Sequence, residues 1–321
     1  MGKKALSYAD SSFILYGIYF YCRARGAWDK AGELGKNREG TILVNYFKLA
    51  YTTPDILSKI KEAEKRGDYN SHLDTVDYDK CCPVDESFPY IPAGRLKIRQ
   101  AFIRACVISP FMWIVNRFIF RTRIYNENNR KMLYNQRKNR EGFVITCNHI
   151  NKLDTLVVMW SLKRSGMLRG RSMKVMTADF NNQKGRLGEY MRAFGILPFP
   201  SGHRLVRRFN DAVSYYLKKG DCILIFPEQS EWWGYDRPRP LKSGAFYYAV
   251  KNDVPVQPLF ITCRDSGRIK NGVEKKYFDV HVAERIPVIE GDVNDHDKIR
   301  LMKEENRRLW EKIYNSMTKE I

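Results

Sequence analysis

What the chain lacks narrows its chemistry first. Its seven cysteines include no C-x-x-C spacing, and Cys81 and Cys82 are adjacent, which does not suit a bridge between them. An odd count without a framework excludes a disulfide scaffold and points to reduced thiols in a cytosolic setting. Five histidines scattered along 321 residues offer no metal-ligand spacing, so no metal and no cofactor is expected. No uninterrupted apolar run reaches the roughly 20 residues that cross a bilayer. The aromatic run from Phe13 to Cys22 is too short for a secretory core, and no small-residue cleavage site follows it. Internal repeats, low-complexity tracts and nucleic-acid-binding signatures are missing too. Acidic residues are scarce: 36 Asp+Glu stand against 56 Lys+Arg, a net charge of +20. That imbalance calls for an anionic partner, such as an acidic membrane surface or phosphate groups.

What is present is a chain that alternates. From Phe143 onward, apolar runs at 143–147, 173–177, 196–199, 222–226, 256–262 and 277–282 read as strands. Helical patterns lie between them at 151–164, 184–193, 203–218 and 241–251, and a last one starts at 294. In the 203–218 segment, Leu205, Val206, Phe209, Ala212, Val213, Tyr216 and Leu217 recur at spacings of three and four, and Lys218-Lys219-Gly220 closes it. Such alternation predicts an α/β fold, a layered mixed sheet flanked by helices.

Upstream, a helical stretch over 96–120 leads into a strand at Arg123-Ile124-Tyr125. Its apolar centre, Ala105 to Val115, lies between Arg104 and the trio Arg117, Arg121 and Arg123. This pattern suits an interfacial helix on anionic lipid, and equally a core helix whose charged ends reach solvent. Residues 13–22 read as core packing. Residues 1–94 are expected to be a mostly helical N-terminal extension of unknown role, and 95–321 a domain led by a membrane-associating segment over 95–120. Within the extension, Thr53 caps a helix with Pro54 at its first position, and Gly67 closes it. Residues 68–94 are polar and irregular. The basic stretch Arg130-Lys131, Arg137-Lys138 and Arg140 reads as a solvated surface.

The chemistry is concentrated at Asn148-His149-Ile150-Asn151-Lys152-Leu153-Asp154, directly after the first strand of the alternating region. A histidine titrates near neutrality, and a carboxylate beside it fixes its tautomer and stabilises the imidazolium. Five residues along one helix rotate a side chain by roughly 140°, so the two can meet only if His149 lies in the turn before the helix and Asp154 in its first turns. Backbone N–H groups at that helix start are candidate oxyanion donors. Cys147 reads as a small buried hydrophobe rather than a nucleophile. A second block, Phe226-Pro227-Glu228-Gln229-Ser230, ends another buried strand. Carboxyl ends of strands are where open α/β sheets place functional groups.

The order of these blocks resembles the glycerolipid acyltransferases, the lysophosphatidic acid and glycerol-3-phosphate acyltransferase superfamily. Asn148, His149 and Asp154 match its N-H-x-x-x-x-D motif, and residues 226–230 resemble its F-P-E-G-[TS] motif. Lys242-Ser243-Gly244-Ala245 and Val254-Pro255-Val256-Gln257-Pro258 resemble two later blocks; together they span about 125–285. The resemblance implies acyl transfer from a thioester, acyl-CoA or acyl carrier protein, to a hydroxyl of lysophosphatidic acid in phospholipid synthesis, with no acyl-enzyme. His149 would be the general base and Asp154 its orienting carboxylate. Asn148, Glu228, Ser230, Arg204 and Arg207 would contact substrate. Glu228 either binds acceptor hydroxyls or hydrogen-bonds a turn, and Arg208 is a further candidate for phosphate.

Three departures stand out. Ser201 occupies the place, after Gly195-Ile196-Leu197-Pro198-Phe199-Pro200, where the family carries an arginine for the acceptor phosphate. Gln229 replaces a glycine, and Glu231 stands where many members have a basic residue. The insert from Trp232 to Pro240 is aromatic and basic, suited to lie over the active site or against lipid. A different acceptor, such as glycerol-3-phosphate, another lysolipid or an amino-acid lipid, is therefore the alternative within the enzyme class. A non-catalytic membrane-binding protein is the alternative outside it. The expected location is the cytoplasmic face of a membrane, peripherally, with acyl donor, lysophospholipid and anionic lipid as partners and no nucleic acid.

Overall fold

The computed structural model describes residues 52–73, 78–126 and 141–318. Within them seven strands pair into one sheet: β1 (Arg123–Asn126), β2 (Phe143–Thr146), β3 (Met173–Ala178), β4 (Ile196–Phe199), β5 (Cys222–Ile225), β6 (Val256–Lys270) and β7 (Val273–Val282). Their order across the sheet is β1-β7-β6-β2-β5-β3-β4, and all neighbours run parallel except β6 and β7. The helices are α1 (Pro54–Arg66), α2 (Gly94–Ile119), α3 (Asp154–Arg164), α4 (Gly185–Phe194), α5 (His203–Lys218), α6 (Gly244–Lys251) and α7 (Asp295–Thr318). The expected layered mixed sheet is what forms.

Central β2 and β5 are buried at every position, because helices cover both faces of the sheet. Alternate side chains take opposite faces. Phe143, Ile145 and Leu224 join a core with α2, α3 and α4, through Met112, Val157 and Ala193. Val144, Ile223 and Ile225 join a second core with α5, α6 and α7, through Phe209, Phe246 and Trp310. Each fully buried aliphatic or phenyl side chain contributes about 1.5–3 kcal/mol. In α5, Phe209, Ala212, Val213, Tyr216 and Leu217 are buried as their spacing requires, while Leu205 and Val206 near its start are half-buried.

Two features differ from the sequence reading. Strands expected to stop at 262 and start at 277 continue into an antiparallel hairpin closed at Asn271-Gly272, both at positive φ (52° and 75°). An Asn-Gly pair in this conformation makes the tight turn whose twist matches paired strands. In addition, although no uninterrupted apolar run exists, α2 has 26 residues and is long and apolar enough to cross a membrane by length and composition. Only 33% of its most apolar window is buried, so much of that surface is uncovered. Ile103, Ile108, Met112, Val115 and Ile119 face the core, whereas Ile98, Phe102, Trp113 and Phe118 are exposed. The turn over Arg104–Ile108 is a π-turn. Its i→i+5 bonds return residues five apart to nearly the same face, which lets Ile103 and Ile108 both reach the core.

The N-terminal residues that can be described pack onto the domain. Ile60 and Ala63 of α1 meet Trp232, Trp233 and Val273, and Phe88 and Tyr90 enter the second core. The aromatic insert thus packs inward rather than against lipid: Trp232 is fully buried and Trp233 nearly so. The 13–22 run and the basic stretch at 130–140 lie outside the described residues.

Candidate active site

The first block sits at the carboxyl end of β2. The chain leaves the strand at Cys147, makes a turn over residues 148–153 and enters α3 at Asp154. The turn puts His149 Nδ1 3.1 Å from Asp154 Oδ2, as the helix-geometry argument required. The same oxygen accepts from Ile150 N (2.7 Å) and Asn151 N (2.9 Å), so the carboxylate is fully buried yet held by three donors. With Asp154 ionised, Nδ1 carries the hydrogen and Nε2 presents a lone pair. The imidazole stacks on Phe226, with centroids 4.2 Å apart, and its side chain is 20% exposed, enough to meet a substrate. Burial lowers the His149 pKa, but the hydrogen bond and charge of Asp154, with the charge of Glu231, outweigh it, and the net shift is upward. Burial raises the Asp154 pKa, and the His149 and backbone donors oppose that shift. The pair is a proton-accepting imidazole backed by a carboxylate.

The second block ends β5 beside it. Glu228 is buried and both of its oxygens are in use: Oε2 accepts from His149 N (3.1 Å) and Arg239 Nη2 (2.9 Å), and Oε1 from Arg239 N (2.9 Å). Of its two expected roles, holding a turn is therefore the one the geometry supports, and reaching an acceptor hydroxyl is not. Asn148 is also taken up by the protein. Its amide donates to Ile261 O (2.9 Å) and accepts from Ile261 N (2.8 Å), an imitation of one more strand pair between β2 and β6. The N–H groups of Ile150, Asn151, Leu153 and Asp154, at the helix start where oxyanion donors were expected, turn inward to Asp154, Asn151 Oδ1 and Asn151 O, as that of His149 does to Glu228. Ser230 is buried with a hydroxyl that has no hydrogen-bond partner among the described residues.

Arg204 and Arg207 lie exposed on the first turns of α5, after β4. Three strand spacings separate β4 from β2, about 14 Å across the sheet edge. Arg208 instead donates to Glu86 O. Ser201, in the place of the family's arginine, donates its hydroxyl to the Asp179 carboxylate.

Arg239 is the residue the sequence reading missed. Its side chain is 1% exposed. It bonds Glu228 and Ser230 O (2.5 Å), reaches toward His149 O at 3.5 Å, and stacks on Trp232 at 4.8 Å. The insert adds Trp232 N→His149 O (3.0 Å) and Gly234 N→Ile150 O (2.9 Å). A guanidinium between two prolines beside a tryptophan pair was a signal that could have found it. The insert is in turn held from α1 and the residues after it: Glu64 accepts from Tyr235 Oη and Arg237 Nη1, both at 2.9 Å, and Ser71 O, beyond the helix, accepts from Trp232 Nε1 at 3.1 Å.

Gln229 has φ 65°, the left-handed conformation that a glycine adopts without cost. Its side chain is exposed, so little would be lost with it. Gln229→Gly is expected to stabilise the protein by about 0.5–1 kcal/mol, the left-handed penalty of about 1–2 kcal/mol less the entropy of glycine. Chemical denaturation checks this; a lower midpoint would show that the loop is not strained there.

The family described as Acyltransferase matches residues 121–262, which contain both blocks. The chain is also similar to the crystal structure of the 1-acyl-sn-glycerophosphate (LPA) acyltransferase PlsC from Thermotoga maritima, at 16% identity and a TM-score of 0.46, covering 68% of this chain and 87% of that one. No curated protein matches. The family match takes in both the His149–Asp154 turn and the Glu228 strand end.

Proposed function

We propose that this acyltransferase moves a fatty acyl group from a thioester donor, acyl-CoA or acyl carrier protein, to a free hydroxyl of lysophosphatidic acid, on an anionic membrane surface. The observation that carries it is the His149–Asp154 pair at 3.1 Å. His149 Nε2 takes the hydroxyl proton as the acceptor oxygen bonds to the thioester carbonyl carbon. The resulting tetrahedral centre expels the thiolate, which leaves with that proton, and the new ester is released. Asp154 holds the imidazole and stabilises its charged form. Arg204 and Arg207 supply free cations for the acceptor phosphate. The uncovered apolar side of α2, with its flanking arginines, favours peripheral docking at a cytoplasmic membrane face, because its other side is packed into the core.

A second reading is favoured by one observation. The Ser201 hydroxyl faces the Asp179 carboxylate, so that position carries no positive charge for a phosphate. An acceptor without a phosphate suits such a corner. Thiol release from acyl-CoA on liposomes, with lysophosphatidic acid, glycerol-3-phosphate and a neutral lysolipid in parallel, separates the two. Release that requires lysophosphatidic acid supports the first reading, and release with the neutral lysolipid alone overturns it in favour of the second.

The pH dependence follows from the pair. The base must be neutral to act, and kcat/KM reports the free enzyme. Burial lowers the His149 pKa, Asp154 and Glu231 together raise it by more, and the acid limb is expected above pH 6.5, the ordinary histidine value. Asp154→Asn removes the larger raising contributions and leaves burial against the weaker effect of Glu231, so its limb moves to lower pH. A limb unmoved by that substitution would mean another group controls it.

A further inference from the structure

We propose that Arg121 and Lys275, gathered around Tyr277 beyond the end of α2, together with Arg268 on the same β6–β7 hairpin, form a binding site for the phosphate of an anionic membrane lipid. The proposal rests on the membrane-surface reading above and names the group on the protein that recognises the headgroup.

The site is built by the β6–β7 hairpin and the residues that follow α2. Arg264 and Tyr277 are partners across the hairpin. The Tyr277 ring has Arg121 Cζ at 5.2 Å, Lys275 Nζ at 5.5 Å and Arg264 Cζ at 5.6 Å from its centroid. Arg264 is neutralised: its Nε lies 2.6 Å from Asp279 Oδ2, and its Nη2 donates to Arg121 O at 3.0 Å. Arg121 itself sits at φ 44°, a conformation L side chains seldom adopt.

The other cations have no such partner. Lys275 is only 8% exposed, and its ammonium has neither a carboxylate nor a hydrogen-bond acceptor among the described residues. Arg121 and Arg268, both exposed, also lack carboxylates there. The three are close enough to feel one another: burial first, then the charges of Arg268 and Arg121, depress the Lys275 pKa. Concentrating like charge around a buried, unpaired ammonium is unfavourable unless an anion completes it. The chemistry fitted to a pair of cations on one ring, with a third on the same hairpin, is a phosphate.

The surroundings select a lipid over a soluble phosphate. Arg121 follows the end of α2, whose exposed Trp113 and Phe118 pack edge to face at 5.3 Å, with Arg117 over Phe118. Bare aromatic rings adjoin the cations, as in an element that sits at the headgroup level with its rings in the acyl boundary.

The test is co-sedimentation of the full chain with phosphatidylcholine vesicles, with and without phosphatidic acid. The variants are Arg121→Gln/Arg268→Gln/Lys275→Gln and a charge-matched control, Arg300→Gln/Arg307→Gln/Arg308→Gln, whose cations are exposed and already paired with carboxylates on α7. Each headgroup cation is expected to contribute about fivefold, so the first variant loses on the order of 100-fold in affinity for acidic vesicles and the control only a few-fold. The exposed pair Arg121→Gln/Arg268→Gln, expected to lose about 25-fold, carries the test if Lys275→Gln does not fold. Equal losses in test and control variants, or none in the test variant, would overturn the site. Thermal stabilisation by inorganic phosphate that the triple variant loses, with its vesicle binding intact, would assign the cluster to a soluble phosphate and overturn the lipid assignment. Failure of the wild type to bind acidic vesicles would remove the membrane reading itself. None of these readouts needs turnover, so a failed acyl-transfer assay leaves them standing.

Discussion

His149→Ala is expected to lower kcat by about 10²–10⁴-fold, the contribution of a positioned general base, while the melting temperature stays close to wild type. The two halves of this expectation come from different atoms. The side chain supplies the proton acceptor, but the backbone of residue 149 does the structural work: its N–H goes to Glu228, and its carbonyl accepts from Trp232 N. An alanine keeps both bonds. The Asp154 carboxylate is not orphaned either, since Ile150 N and Asn151 N still bond to Oδ2. What is lost structurally is one partly exposed ring stacked on Phe226. Thiol release measured beside thermal unfolding checks both halves. Substantial turnover by a well-folded variant would remove His149 from the reaction.

Arg239→Met is expected to destabilise the fold by about 3–5 kcal/mol, the cost of leaving one charge of a buried pair without its partner. Glu228 and Arg239 are 0% and 1% exposed in their side chains, so no solvent replaces the missing guanidinium. The orphaned carboxylate is the one that holds His149 N, so the catalytic turn loosens as well and kcat falls with stability. The companion experiment is Glu228→Gln in the Arg239→Met background. Removing the second charge eliminates most of the penalty, because a neutral amide can still accept from His149 N. The double variant is therefore expected to be more stable than Arg239→Met alone, with part of its kcat restored. A double variant less stable than either single one would show that Arg239 acts through packing on Trp232 and not through the ion pair.

Strand and helix positions were largely legible in the sequence because this sheet is covered on both faces. Phe143-Val144-Ile145-Thr146 and Cys222-Ile223-Leu224-Ile225 are continuous apolar runs for that reason. The outer half of the β6–β7 hairpin was not legible, since Arg264, Asp265, Lys275 and Lys276 carry no apolar period, although the Asn271-Gly272 turn was there to be read. At the site, the meeting of His149 and Asp154 followed from helix geometry. The fates of Asn148 and Glu228 did not, because spacing cannot say whether a polar side chain turns to a ligand or to a neighbouring backbone. Arg239 was hidden for a related reason: the ten residues from Glu231 to Pro240 form no repeating element, and only the folded insert brings its guanidinium back to Glu228.

The docking of α1 on the insert bears on where the chain can be shortened. A cut at residue 94, where the composition changes, would remove Ile60 and Ala63 and strip the cover from Trp232, Trp233 and Val273, the other buried members of that cluster. It would also take Phe88 and Tyr90 out of the second core. Contiguous bare aromatic surface of this kind promotes self-association, so the shortened protein would be prone to aggregate even though every motif of the acyltransferase remained in it. The shortest chain that keeps the catalytic turn supported must begin before Thr53, the residue that caps α1.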